Sequence, residues 1–81
     1  MKLLRHSDEI ERLRNIYKPG IKVRLIHMEG EPQMTEGLEG TIDYVDDAPQ
    51  IHVNWENGSS LALIPEVDKF EIIKKIKNSN S

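Results

Sequence analysis

Residues 40–65 read G-T-I-D-Y-V-D-D-A-P-Q-I-H-V-N-W-E-N-G-S-S-L-A-L-I-P, and this stretch decides the fold. Three strand-like runs, Gly40 to Val45, Ile51 to Trp55 and Leu61 to Leu63, are parted by two turn signals. In the middle run Ile51, Val53 and Trp55 alternate with His52 and Asn54, the period-two pattern of a strand with one apolar face. Asp46-Asp47-Ala48-Pro49 forms the first turn, because aspartate side chains accept hydrogen bonds from turn backbone and proline presets its own φ. Asn57-Gly58 forms the second, since both residues tolerate the positive φ of a type I′ hairpin. The run is therefore three consecutive antiparallel strands. Ile42, Val45, Ile51, Val53, Leu61 and Leu63 are assigned to the core.

Upstream, Ile21-Lys22-Val23-Arg24-Leu25 alternates apolar and basic residues and predicts another half-buried strand, with Lys22 and Arg24 outward. Met28 to Glu39, with Gly30, Pro32 and Gly37, predicts a long irregular loop. Ser7 to Tyr17 predicts a short amphipathic helix, with Ile10, Leu13, Ile16 and Tyr17 on one face and Ser7 or Asp8 as cap. Asp8, Glu9 and Glu11 suit the positive end of its dipole, and Pro19-Gly20 ends it. A helix of this length is marginal alone in water, so its stripe must dock on something. Downstream, Pro65 to Asp68 suits one helical turn and Phe70 to Ile73 a fifth strand. The expected organisation is a helical segment 1–16, a β domain 17–73 and a basic, disordered tail 74–81.

Five short strands, a long first loop, a short second one, a tight hairpin and one helical turn before the last strand follow the order of an SH3-like five-stranded antiparallel barrel. From Tyr17-Lys18-Pro19-Gly20 through V-R-L-I, E-G-T-I, V-D-D, I-H-V-N-W-E-N-G-S-S-L-A-L-I-P and V-D-K-F-E-I-I, the chain resembles an uncharacterised family, domain of unknown function four-three-one-four. The resemblance covers about residues 17–73, and W-E-N-G-S to L-I-P is its most specific part. It implies an SH3-like fold and a setting in bacterial mobile elements and phages, and it implies no activity. Lys18 stands where a second proline is usual, and Leu38 replaces a threonine.

Eighty-one residues make one small domain with a modest core. The chain has no cysteine, hence no disulfide framework and no thiolate zinc site, and neither a signal peptide nor a membrane span is expected at Met1 to Ser7 or beyond. A cytoplasmic location is the expectation. The net charge of -3 is unevenly distributed. Residues 1–24 hold seven basic and three acidic groups, residues 25–73 one and eleven, and residues 74–81 three and none. Nucleic-acid binding requires clustered Lys and Arg, and the central segment offers only Lys69. Binding of that kind falls to the flanks, Arg5, Arg12, Arg14, Lys18, Lys22 and Arg24 with Lys74, Lys75 and Lys77, and is the alternative function.

Catalytic patterns are weak. His6, His27 and His52 lack metal-ligand spacing, Ser59 and Ser60 follow a hairpin rather than a nucleophile elbow, and the aspartates do not follow a calcium-loop pattern. No enzyme activity, cofactor or metal is expected. A polyproline groove would need aromatic residues at the first loop and after Pro65, and only Pro65 fits. Gly37 to Ile42 resembles the KOW type of RNA- or polymerase-binding domain in its glycine spacing, but the adjoining loop is acidic. W-E-N-G-S resembles the hairpin of peptide-binding SH3-like modules in some ubiquitin ligases. The preferred expectation is a non-enzymatic protein-interaction module, monomer or weak homodimer, for a basic protein segment. Its site is assigned to Asp43, Tyr44, Asp46, Asp47, Trp55 and Glu56, with Tyr44 or Trp55 as amphipathic anchor. By parity with Ile51 and Val53, Trp55 is also a core candidate.

Overall fold

A computed structural model describes residues 6–73. The protein is mainly β: a helix α1 (His6–Ile16) precedes strands β1 (Lys22–His27), β2 (Glu39–Val45), β3 (Ile51–Trp55) and β4 (Lys69–Ile72). The strands form one antiparallel sheet in the order β3-β2-β1-β4. Val23, Leu25, Ile42, Val45, Ile51, Val53, Trp55 and Leu63 pack together on its inner face with Leu13, Met28 and Met34. No described helix is long and apolar enough to cross a membrane.

The expected fourth strand, Leu61 to Leu63, does not form, whereas the expected fifth is present as β4, and the resulting four-stranded sheet is not closed. Residues 61–63 contribute a single bridge, Leu63 to Ile51. The reason is local. Leu61 N–H donates to Ser59 Oγ at 3.2 Å and Leu61 C=O accepts from Trp55 Nε1 at 2.8 Å, so the groups that would continue the ladder toward Val53 are diverted. The preceding turn also differs from a type I′ hairpin, in which both central residues have positive φ. Here only Gly58 does, at 89°. Gly58 N–H donates to Trp55 O and Trp55 N–H to Ser59 O, both at 3.0 Å, the three-residue loop in which a left-handed glycine follows the turn.

Within β2 the pairing skips a residue: Ile42 faces Val53, and Tyr44 faces His52, leaving Asp43 as a bulge. The bulge explains how Ile42 and Val45, three positions apart, both reach the core while Asp43 and Tyr44 lie exposed. A second irregularity, at Ile26 of β1, leaves that residue exposed as well. The loop between β1 and β2 is irregular, as expected, yet Met28 and Met34 anchor it in the core.

Helix α1 docks on its own sheet. Ile10 and Leu13 are buried and Tyr17 packs on Phe70 with ring centroids 5.5 Å apart. Ile16, expected on the same face, is 40% exposed, because the stripe that docks runs Ile10, Leu13, Tyr17. Ser7 and Asp8 lie within the described helix rather than at a cap preceding it.

Gly40 is fixed by crowding. A β-carbon there would meet Val53 Cγ1 at 2.5 Å and Trp55 Cε3 at 2.8 Å. Gly40→Ala is expected to destabilise the domain by about 1–3 kcal/mol through overpacking. In a domain of this size each kcal/mol lowers the melting temperature by roughly 4–8 °C, so thermal unfolding by circular dichroism reads the effect directly.

Candidate functional site

The expected site residues separate into a buried one, a self-paired set and an exposed pair. Trp55 is 4% exposed and its only indole donor is bonded to Leu61 O, so it is a core residue and not an interaction anchor. Parity with Ile51 and Val53 carried that signal. Asp47 Oδ1 accepts from Arg14 Nη2 at 2.9 Å, and Arg14 Nε donates to Val45 O at 3.0 Å. The guanidinium thus clasps α1 to the end of β2. Glu56 lies 3.9 Å from Lys22 Nζ.

Asp46 organises the turn between β2 and β3. Its Oδ1 accepts from Ala48 N–H at 2.9 Å and Gln50 N–H at 2.7 Å, while Oδ2 lies 2.7 Å from His52 Nε2. Asp46 N–H in turn donates to Gln50 O at 2.9 Å, and the Ala48–Pro49 peptide is cis. The hydrogen bond from His52, then that from Ala48 N–H, with a lesser one from Gln50 N–H, hold the Asp46 carboxyl below its ordinary value of 3.8 against the opposing effect of burial.

His52 is held on its other side by Tyr44. The rings are nearly parallel, 4° apart in plane and 4.3 Å between centroids, as cross-strand neighbours on the outer face of the sheet. Tyr44 is 49% exposed. Asp43, displaced by the bulge, lies exposed beside it. The result is a braced aromatic ring next to a carboxylate, on a face shared with Thr41 and Asn54. The bulge that aims Tyr44 outward was the signal sequence reading missed: two core residues separated by three positions cannot share a face of a regular strand.

Basic residues assigned to nucleic-acid binding are drawn into the chain's own electrostatics. Besides Arg14 and Lys22, Arg24 bonds Glu71 at 2.8 Å and approaches Glu39 at 3.7 Å, and Arg12 lies 3.9 Å from Glu9. Arg5, Lys74, Lys75 and Lys77 lie outside the described residues, as does the tail expected at 74–81. Pro65 lines an open groove of about 260 Å³ together with Pro49 and with Glu9 and Leu13 of α1, so the chain's own helix flanks the one position that suits a polyproline ligand.

Residues 6–73 match the family described as Domain of unknown function (DUF4314). The chain belongs to that family. No curated protein matches this DUF4314 domain, and no solved structure matches it.

The lowered Asp46 carboxyl sets a pH dependence. A carboxylate whose folded-state pKa is depressed adds stability that is present above its unfolded value and lost as pH falls through the folded one. Asp46→Asn is therefore expected to lower the melting temperature at neutral pH, with the difference from the parent closing as pH drops below 3.8. Thermal melts from neutral to acid pH check this; a difference that stays constant with pH contradicts it.

Proposed function

We propose that this domain is a non-enzymatic protein-interaction module that docks a basic protein segment on the outer face of β2 and β3, at Tyr44 and Asp43. The observation that carries the reading is the stack of Tyr44 on His52, itself held by Asp46. One face of the phenol ring is occupied and the ring is ordered before any partner arrives, which reduces the entropy lost on binding. Its remaining exposed surface, beside the Asp43 carboxylate, suits an arginine or lysine side chain, through the ring quadrupole and the opposite charge together. Asp46 serves this site by bracing it. Asp47 adds negative charge at the same end of β2 while paired to Arg14, whereas Glu56, paired to Lys22, lies at the other end of the β2–β3 pair.

The non-enzymatic part rests on where the polar groups are directed. Both Asp46 oxygens are committed to backbone donors and to His52, an arrangement that builds a turn. The finer architecture belongs to the same reading: an SH3-like barrel in which β4-β1-β2-β3 is extended by the Leu63 bridge, and the Ile64 to Asp68 turn leads into the last strand. So do an association with a bacterial mobile element, which rests on the sequence resemblance alone, and a cytoplasmic location, which rests on the cysteine-free composition.

A nitrogen-15 labelled sample titrated with an alternating Arg-Gly peptide, and in parallel with its Glu-Gly counterpart, tests the site by amide chemical shifts. The basic peptide is expected to shift Asp43, Tyr44 and His52, the acidic one to leave them in place. Tyr44→Ala is expected to weaken basic-peptide binding roughly tenfold while the fold is retained. Equal response to both peptides, or shifts confined to another face, overturns the reading.

A further inference from the structure

The two edges of the sheet are treated differently. Along the outer edge of β3, Ile51 exchanges two backbone hydrogen bonds with Leu63 and Trp55 N–H donates to Ser59 O, so that edge is covered. The edge at β4 has no such cover among the described residues. Ile73 N–H donates to Lys22 O at 2.9 Å, which fixes the phase of the β1–β4 ladder. Residues in phase with Ile73, Glu71 among them, face β1, whereas Phe70 and Ile72 turn their N–H and C=O groups away from it. Lys69, Glu71 and Ile72 are exposed and Phe70 is half-buried, so no other strand is buried so little. An exposed edge of this kind is a template for another strand.

The sequence of β4, Lys69-Phe70-Glu71-Ile72, says which strand fits. Two copies related by a two-fold axis pair antiparallel, with either kind of residue pair on the axis, and the axial residue must not set its own charge against its copy's, as Glu71 would. Phe70 and Ile72 satisfy that condition. With Phe70 on the axis, Lys69 of each copy lies opposite Glu71 of the other, giving two opposite-charge cross-strand pairs. With Ile72 on the axis, Glu71 faces Ile73 and no charges pair. Glu71 already accepts from Arg24 Nη1 at 2.8 Å, and a carboxylate has oxygen lone pairs left for a second cation.

We propose that β4 is a self-association edge, and that a second copy of this chain adds to it antiparallel with Phe70 on the two-fold axis. The two sheets then join into one continuous eight-stranded sheet. Each copy offers the same patch to the other, so the contact closes at two and does not propagate. The strand is short, and the dimer is accordingly weak and concentration-dependent. This edge is separate from the Tyr44 face, and its test is independent of peptide binding.

Sedimentation velocity over a concentration series of the full chain is expected to show a reversible monomer–dimer equilibrium. Lys69→Glu and Glu71→Lys are each expected to weaken it roughly tenfold, because each places like charges opposite one another twice. The double variant Lys69→Glu/Glu71→Lys restores opposite charges and is expected to recover the dimer. Ile72→Pro removes an N–H that β1 does not use, so it is expected to leave the melting temperature close to the parent's and abolish the dimer. The proposal is overturned by a monomer throughout the series, by single variants that dimerise like the parent, or by a double variant no better than the worse single one.

Discussion

At residue 40 the backbone of β2 lies directly against the side chains of Val53 and Trp55, in space that a β-carbon would fill. Much of the rest follows from that close approach. It seats the indole in the core, and the seated indole directs Nε1 at the carbonyl of Leu61. That bond, with Ser59 Oγ on the N–H of Leu61, withdraws Leu61 from the ladder and leaves a four-stranded sheet with a bridge at its edge. A glycine chosen for packing thus limits how far the sheet extends.

The acidic middle of the chain is only in part a surface for partners. Asp46 is spent on the turn, Asp47 on clasping α1 through Arg14, and Glu39 and Glu71 flank Arg24. The segregation of charge along the sequence, basic first and acidic afterwards, is largely folded back on itself. Exposed pairs of this kind add little stability one by one. Their effect here is to shrink the uncompensated charge to a few places, of which Asp43 beside Tyr44 is one.

Which parts of this were legible beforehand follows from the range of the interactions involved. Strands from Ile51 to Trp55 and from Gly40 to Val45 declare themselves by period and turn chemistry, which are local. The helix declares its docking stripe, apart from Ile16, whose exposure depends on the angle at which α1 meets the sheet. What did not show were effects set across the fold: the diversion of Leu61 by Trp55, the burial of Met28 and Met34 from a loop rich in Gly and Glu, and the pairing of Arg14 with a turn 33 positions away. Of the expected site, Trp55 was resolvable by parity, and Tyr44 was resolvable once the spacing of Ile42 and Val45 is read as a bulge. The stacking of Tyr44 on His52 required the register of two strands, which the bulge itself determines.

The hydrogen bond from Ile73 N–H to Lys22 O, at 2.9 Å, brings the start and the finish of the strand-forming chain to one point. The sheet is therefore a loop of polypeptide that enters and leaves at the same place. Units with that geometry tolerate being spliced into another chain, or having their ends joined and reopened elsewhere, because neither operation stretches the backbone. Here that geometry belongs to the sheet, and α1, whose Ile10 and Leu13 are buried, has to travel with it as part of the same unit.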